Sequence, residues 1–219
     1  MKHLWDRWGL LSGMLSVACL VVGTMMVLSQ PQDKESDAKI VAYFSDHSHR
    51  VKGMVGFFLF LAGILLLLAF LVALRDRLVA AEGQVGGATA LAFGAGLVSV
   101  ALTTTSMLVA NGTLLAVTNT SKFHVEPNTF RLFADTAYAA WVSGVMIAAF
   151  VVWGVSAVAL RTGLLPAWWG RVGIVIGVAQ LFAFLFFPFF AWLIWIVGTS
   201  LLLTIRGATA PARIVQPAV

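Results

Sequence analysis

Five apolar blocks, at residues 8–29, 53–74, 86–110, 137–160 and 172–205, run for 22 to 34 residues each without a single Lys, Arg, Glu or His. A run of about 20 apolar residues crosses the roughly 30 Å hydrocarbon core of a bilayer as a helix. Away from water such a run must satisfy its own backbone hydrogen bonds, which leaves helices or a closed barrel, and blocks this long without alternation select helices. The expected fold is therefore all-α, a polytopic membrane helix bundle forming one integral domain over residues 1–219. Composition agrees, with 60% hydrophobic residues before the 20 glycines are counted and only 11% charged; soluble domains reach about 45–50% with glycine included. An ordinary soluble enzyme is excluded.

The number of crossings turns on the last block. As one straight helix its 34 residues would measure about 51 Å. Fitting that into the bilayer needs a tilt of about 54°, beyond the roughly 0–40° of membrane helices. A hairpin turning at Pro188 fits better, so six transmembrane helices are expected, at about 8–29, 53–74, 86–110, 137–160, 172–187 and 189–205, with five as the alternative. This turn would bring Trp192 and Trp195 to a membrane interface, where an indole N–H stays wet. The first block exceeds the roughly 7–15 apolar residues of a signal-peptide core, so it is read as a retained span. Residues 206–219 read as a flexible cytoplasmic tail.

The 14 basic residues give a net charge of +5, but they are scattered in ones and twos beside the apolar blocks and form no nucleic-acid-binding face. Their distribution sets orientation instead. With both termini cytoplasmic, eight lie inside (Lys2, Arg7, Arg75, Arg77, Arg161, Arg171, Arg206 and Arg213) and six outside (Lys34, Lys39, Arg50, Lys52, Lys122 and Arg131). The outer six are matched by six acids, and the inner ones sit tight against span ends. A multi-pass protein of the cell membrane with cytoplasmic ends is expected. Cys19 is the only cysteine, so an intrachain disulfide and a cysteine-based zinc site are both excluded.

Polarity concentrates in the outer loops. After Pro31, Ser36 is placed to cap a helix whose residues Ile40, Val41, Phe44, His47 and Val51 make one apolar stripe. An amphipathic helix lying on the outer interface before the second span is expected. Arg131 and Asp135, at i and i+4, read as a local ion pair. Three G-x-x-x-G pairs, Gly9/Gly13, Gly83/Gly87 and Gly173/Gly177, permit close helix packing. Val72-Ala73-Leu74-Arg75 recurs as Val158-Ala159-Leu160-Arg161; an arginine closing an apolar run reads as a stop signal rather than a duplication.

Candidate functional residues are few. Ser99, Thr103 and Ser106 form a polar stripe on the third span, able to line a pathway or ligand cleft facing Gln180 and Thr199, or to glue neighbouring helices, the preferred reading. His47 and His49 are the only candidate metal ligands. On a helix they point about 200° apart and cannot share an ion, and the amphipathic pattern favours a helix there. No ionisable side chain sits at membrane depth, which argues against ion-coupled pumping. No catalytic set assembles from this inventory, and no cofactor is expected.

The loop from Arg161 to Arg171 reads as a membrane-entry device: Gly163 ends one helix in a left-handed conformation, Pro166 starts the next, and Trp168 and Trp169 anchor at the interface. Tyr43-Phe44-Ser45-Asp46-His47 leading to Arg50, Ala73-Leu74-Arg75-Asp76-Arg77-Leu78, and Arg161-Thr162-Gly163-Leu164-Leu165-Pro166-Ala167-Trp168-Trp169-Gly170 together resemble a family of uncharacterised multi-pass membrane proteins frequent in actinobacteria, a domain-of-unknown-function group. The resemblance implies about six membrane helices and carries no activity or site residue with it. The functional expectation is a non-enzymatic membrane protein, an accessory subunit, sensor or apolar-ligand binder, with a transporter of an uncharged solute or lipid as the alternative. Its expected partners are membrane lipids and an unspecified protein, not nucleic acid.

Overall fold

The computed structural model describes residues 2–209, with side chains described from Trp8 to Arg206. Of the expected tail, residues 210–219 lie outside the described residues. Eight α-helices follow in order: α1 (Lys2–Val27), α2 (Asp37–Ser45), α3 (His47–Glu82), α4 (Gly87–Ala110), α5 (Gly112–Asn119), α6 (Pro127–Thr162), α7 (Ala167–Gln180) and α8 (Phe187–Thr209). Among the described residues there is no strand. Five helices, α1, α3, α4, α6 and α8, are long and apolar enough to cross a membrane. Large apolar side chains on the outside of the bundle, Leu15, Phe58, Leu65, Val175 and Ile194 among them, are more than half exposed. A girdle of that kind is stable against lipid and not against water. The protein is an integral, multi-pass membrane protein.

Packing contacts run α1–α3–α4–α6–α7–α8 and back to α1, a ring of antiparallel neighbours. Glycine sets the closest approaches. A Cβ on Gly13 would lie 2.7 Å from the Phe70 ring, and one on Gly23 2.8 Å from the backbone nitrogen of Phe60, so α1 and α3 pack backbone to backbone. Gly154 holds α6 equally tight to Ala88 and Ala92 of α4. Gly173 and Gly177 let α7 settle on Ser156 and Trp153 of α6. Without a hydrophobic drive between helices inside lipid, such close van der Waals packing supplies the association energy. Of the three expected glycine pairs, Gly83 and Gly87 do not pack: a Cβ at either meets nothing within 4 Å. Gly83 instead ends α3 with φ 76°.

The last apolar block does fold back on itself, and the turn comes earlier than Pro188. Helix α7 stops at Gln180, a single 3₁₀ turn covers Ala183–Leu185, and Phe186 reverses the chain with φ 65°. Pro188 falls in the first turn of α8, where its missing N–H is no loss. From Gly170 beside Leu160 to Phe184 beside Tyr138, this segment retraces α6. Helix α7 alone has 14 residues, about 21 Å.

Two tryptophan expectations are overturned by this register. Trp192 and Trp195 lie on the α8 face shared by Ile196, Thr199 and Leu203, which points into the ring, so they are 5% and 1% exposed rather than interfacial. Their indoles fill the centre against Phe70, Val100 and Val151. Trp169 also turns inward, donating from Nε1 to Thr199 Oγ1 at 2.9 Å, while Trp168 stays exposed as expected. Gly163 adopts the expected left-handed conformation, φ 71°, its N–H donating to Ala159 O at 3.0 Å. The Arg206 guanidinium donates to Gly163 O at 3.1 Å, tying the end of α8 to this loop.

The stripe expected to run from Ile40 to Val51 is interrupted. Asp46 leaves helical conformation (φ −79°, ψ 122°), ends α2 and caps α3 by accepting from the Ser48 N–H. Ile40 and Phe44 are fully buried against Leu114 and Phe130. Helix α2 therefore turns its apolar face, Ile40 and Phe44, onto protein, while Val41 beside it and Val51 of α3 remain exposed.

Candidate functional site

The segment 28–36 links α1 to α2 across one end of the bundle and is tied at two points. Near its start, Gln30 Nε2 donates to Asn111 Oδ1 at 2.9 Å, and the fully buried Asn111 donates in turn from Nδ2 to Met107 O at 2.9 Å. Near its end, Arg131 of α6 donates from Nε to Asp33 O at 2.8 Å and from Nη2 to Glu35 O at 2.9 Å and to Asp37 Oδ1 at 2.6 Å. The expected partner of Arg131 was Asp135. The strap offers two carbonyl oxygens and the first residue of α2 a carboxylate beside them, and the planar guanidinium fork takes all three in preference to a single carboxylate one helical turn away.

Beneath the strap lies a cavity of about 700 Å³. Its deepest residues are Phe60, Thr103 and Ser106; its walls are aromatic, with Tyr138, Trp141 and Phe186; its rim carries Gln32, Asp33, Lys34 and Asp135. Tyr138 Oη donates to Phe184 O at 3.0 Å, and Trp141 lies 5.2 Å from the Phe186 ring and 5.4 Å from that of Phe189, the latter edge to face. Phe186 is the sole non-glycine residue with positive φ among the described residues. A bulky residue there is strained, and such strain persists where the surroundings hold it. Here the aromatic wall holds it.

Two members of the polar stripe reach the cavity. Thr103 and Ser106 line it, while Ser99 lies one turn deeper, 1% exposed, with its hydroxyl unpartnered. Thr103 donates its hydroxyl proton to Ser99 O at 2.8 Å, and Ser106 donates to Ala137 O of α6 at 2.7 Å. Ser106 thus glues α4 to α6. With both protons committed, these oxygens can only accept from a ligand. Below Thr103, Phe70, Val100, Trp192 and Trp195 leave a void of just 10 Å³, so the cavity ends blind.

Gln180 does not line the cavity. It is fully buried at the end of α7 with both amide atoms unpartnered, and Thr199 is engaged by Trp169. His47 and His49 both lie in the first turn of α3 and diverge: the His49 ring stacks on Tyr43 at 4.5 Å, while His47 lines a separate groove on the bundle surface. Among the described residues no three His, Cys, Asp or Glu side chains gather as metal ligands. Two hydrogen bonds from Ser48, side chain and backbone, hold the Asp46 carboxyl below the usual carboxylate range.

The sequence points to Thr103 and Ser106, with Asn111 close by the same stripe, but not to Gln30, Tyr138 or Trp141. Asn111 gave a signal, an amide at the end of a hydroxyl stripe; the aromatic wall gave none, because Tyr138, Trp141 and Phe186 stand among many other aromatics in the blocks 137–160 and 172–205. No family model, curated protein or solved structure matches this chain.

Proposed function

We propose that this membrane protein is a non-enzymatic binder of an apolar or amphipathic ligand, held in the blind cavity beneath the 28–36 strap. The observation that carries this reading is the lining of that cavity: an aromatic wall, two hydroxyl oxygens that only accept, and a rim on which Asp33 and Asp135 outnumber Lys34. Its volume of about 700 Å³ lies within the roughly 300–1,000 Å³ of small-molecule sites. The lining suits an uncharged or cationic molecule with an apolar body and a hydrogen-bond donor. It disfavours an anion. With six crossings and both termini in the cytoplasm, as the basic residues indicate, the cavity opens to the outside of the cell membrane, and the protein works as a sensor or accessory subunit.

The alternative, carriage of an uncharged solute or lipid, is favoured by one feature, the strained backbone of Phe186 at the cavity wall. Relaxation of Phe186 would open the wall sideways. The test is purification in mild detergent followed by mass spectrometry of extracted small molecules, with the wild type beside Ala134→Trp, which fills the cavity. A molecule retained by the wild type and lost from the correctly folded variant supports binding; neither protein retaining one overturns it. Uptake of that molecule into proteoliposomes selects carriage.

A further inference from the structure

A second large concavity lies on the lipid-facing side of α3 and shares no residue with the cavity. It has a volume of about 690 Å³ and is lined along α3 by Val51, Met54, Val55, Phe58 and Ala62, with Val117 of α5 as a side wall. Those α3 positions recur at helical spacing, so they make one continuous apolar face. At one end stand Arg50 and His47. The Arg50 guanidinium has no ion-pair or hydrogen-bond partner among the described residues, its backbone N–H alone being engaged, by Asp46 O at 3.2 Å, and the Asp46 carboxyl beside it being turned to Ser48 and His49. Arg50 is half-buried as a residue, its stem lying on the apolar groove while its unpaired guanidinium heads it, an arrangement that suits an anion meeting the charge at that end.

From Arg50 to Ala62 the groove runs about 18 Å at 1.5 Å per residue, close to the roughly 15 Å depth of one leaflet. It starts where α3 enters the membrane and stops near the middle of that helix. A partner helix would need neither a single cation at one end nor a stop at mid-membrane. A lipid needs both. We infer that this groove is a binding site for an anionic phospholipid, its headgroup phosphate on Arg50 and one acyl chain along Val51 to Ala62.

The experiment uses the full chain in non-ionic detergent, exposed to equal mole fractions of phosphatidylglycerol and phosphatidylcholine, with bound lipids counted by native mass spectrometry. The wild type should prefer phosphatidylglycerol about fivefold, the effect of one cationic side chain at an anionic surface. Arg50→Gln should bring that ratio to about one, Arg50→Lys should keep most of it, and Lys122→Gln, an equal charge change at the same end of the bundle, should leave it intact. On the unmodified protein, phosphatidylglycerol carrying a photoreactive acyl chain should label residues 51–62, a readout independent of any variant's folding. Retention of the preference by Arg50→Gln, equal loss in Lys122→Gln, or labelling elsewhere overturns the site. So does a Val55→Cys disulfide between two copies, which would place a second chain in the groove. Ala134→Trp, which blocks the cavity, should leave the preference unchanged, so failure here and failure of the cavity reading are separable.

Discussion

The Arg131 guanidinium reaches across from α6 to the carbonyl oxygen of Asp33 at 2.8 Å, pinning a connecting segment to a helix 98 residues away in sequence. Of its three contacts there, the ion pair with Asp37 at the start of α2 is worth least, since Asp37 is 69% exposed and water screens it. The two carbonyl bonds carry the clamp, because hydrogen bonds to a charged donor contribute more than neutral ones. Arg131→Ala should therefore cost about 1–2 kcal/mol and accelerate amide hydrogen exchange in residues 31–36. Asp37→Asn should do much less. If exchange in the strap were unchanged by Arg131→Ala, the strap would be held by Gln30 and Asn111 alone.

Gln180 presents the opposite situation, a polar group whose burial is uncompensated. Both amide atoms are buried without partners at the end of α7. Removing an unsatisfied buried group relieves its desolvation penalty, so Gln180→Leu, which keeps the approximate volume, should raise stability by about 1 kcal/mol. Gln180→Glu should lower it. A fall in thermal stability for Gln180→Leu would mean that the amide is engaged in the working protein, and would move Gln180 from packing to function.

What the sequence made legible followed from long-range regularities, and what it hid followed from register. The apolar blocks at 53–74 and 137–160 lie wholly inside α3 and α6, because bilayer thickness forces helices of that length. The reversal in the last block was implied by its excess length, but its position was not. Five of the six residues at 181–186 are strongly apolar, and helix and turn look alike in such a run. That uncertainty of a few residues decided whether Trp192 and Trp195 met water or the bundle centre. Likewise Thr103 and Ser106 announced a polar face, while the choice of Arg131 for Asp33 over Asp135 depended on a tertiary contact that local spacing cannot encode.

The Gly163 turn allows a comparison of glycines. Gly163 has φ 71° and open space around it, whereas Gly94 lies within α4 and also meets nothing within 4 Å. Gly163→Val should cost about 1–2 kcal/mol, the penalty of a left-handed conformation for a residue with a Cβ. Gly94→Ala should be neutral or stabilising by up to about 1 kcal/mol. Thr162→Ala should change stability little, since its hydroxyl accepts from the Leu164 N–H at a long 3.3 Å and otherwise serves its own helix. Thermal unfolding in detergent ranks the three. Loss of a cellular phenotype in Thr162→Ala at unchanged protein level would turn this loop into a site.

Orientation and the sixth crossing are tested together by accessibility. With Cys19 replaced by serine, a cysteine at Ser36 or Lys122, both exposed at the end of the bundle that carries α2, should react with a membrane-impermeant maleimide in intact cells. A cysteine at Glu82 or Thr162, at the opposite end, should react only after permeabilisation. The decisive position is Thr209, the last residue of α8. Because α8 runs antiparallel to α7 and its Arg206 bonds to Gly163 O, Thr209→Cys should behave like Thr162→Cys. Labelling of Thr209→Cys from outside, with Thr162→Cys protected, would separate two ends that the Arg206–Gly163 contact holds together. It would leave five crossings and overturn the hairpin as a membrane-spanning pair.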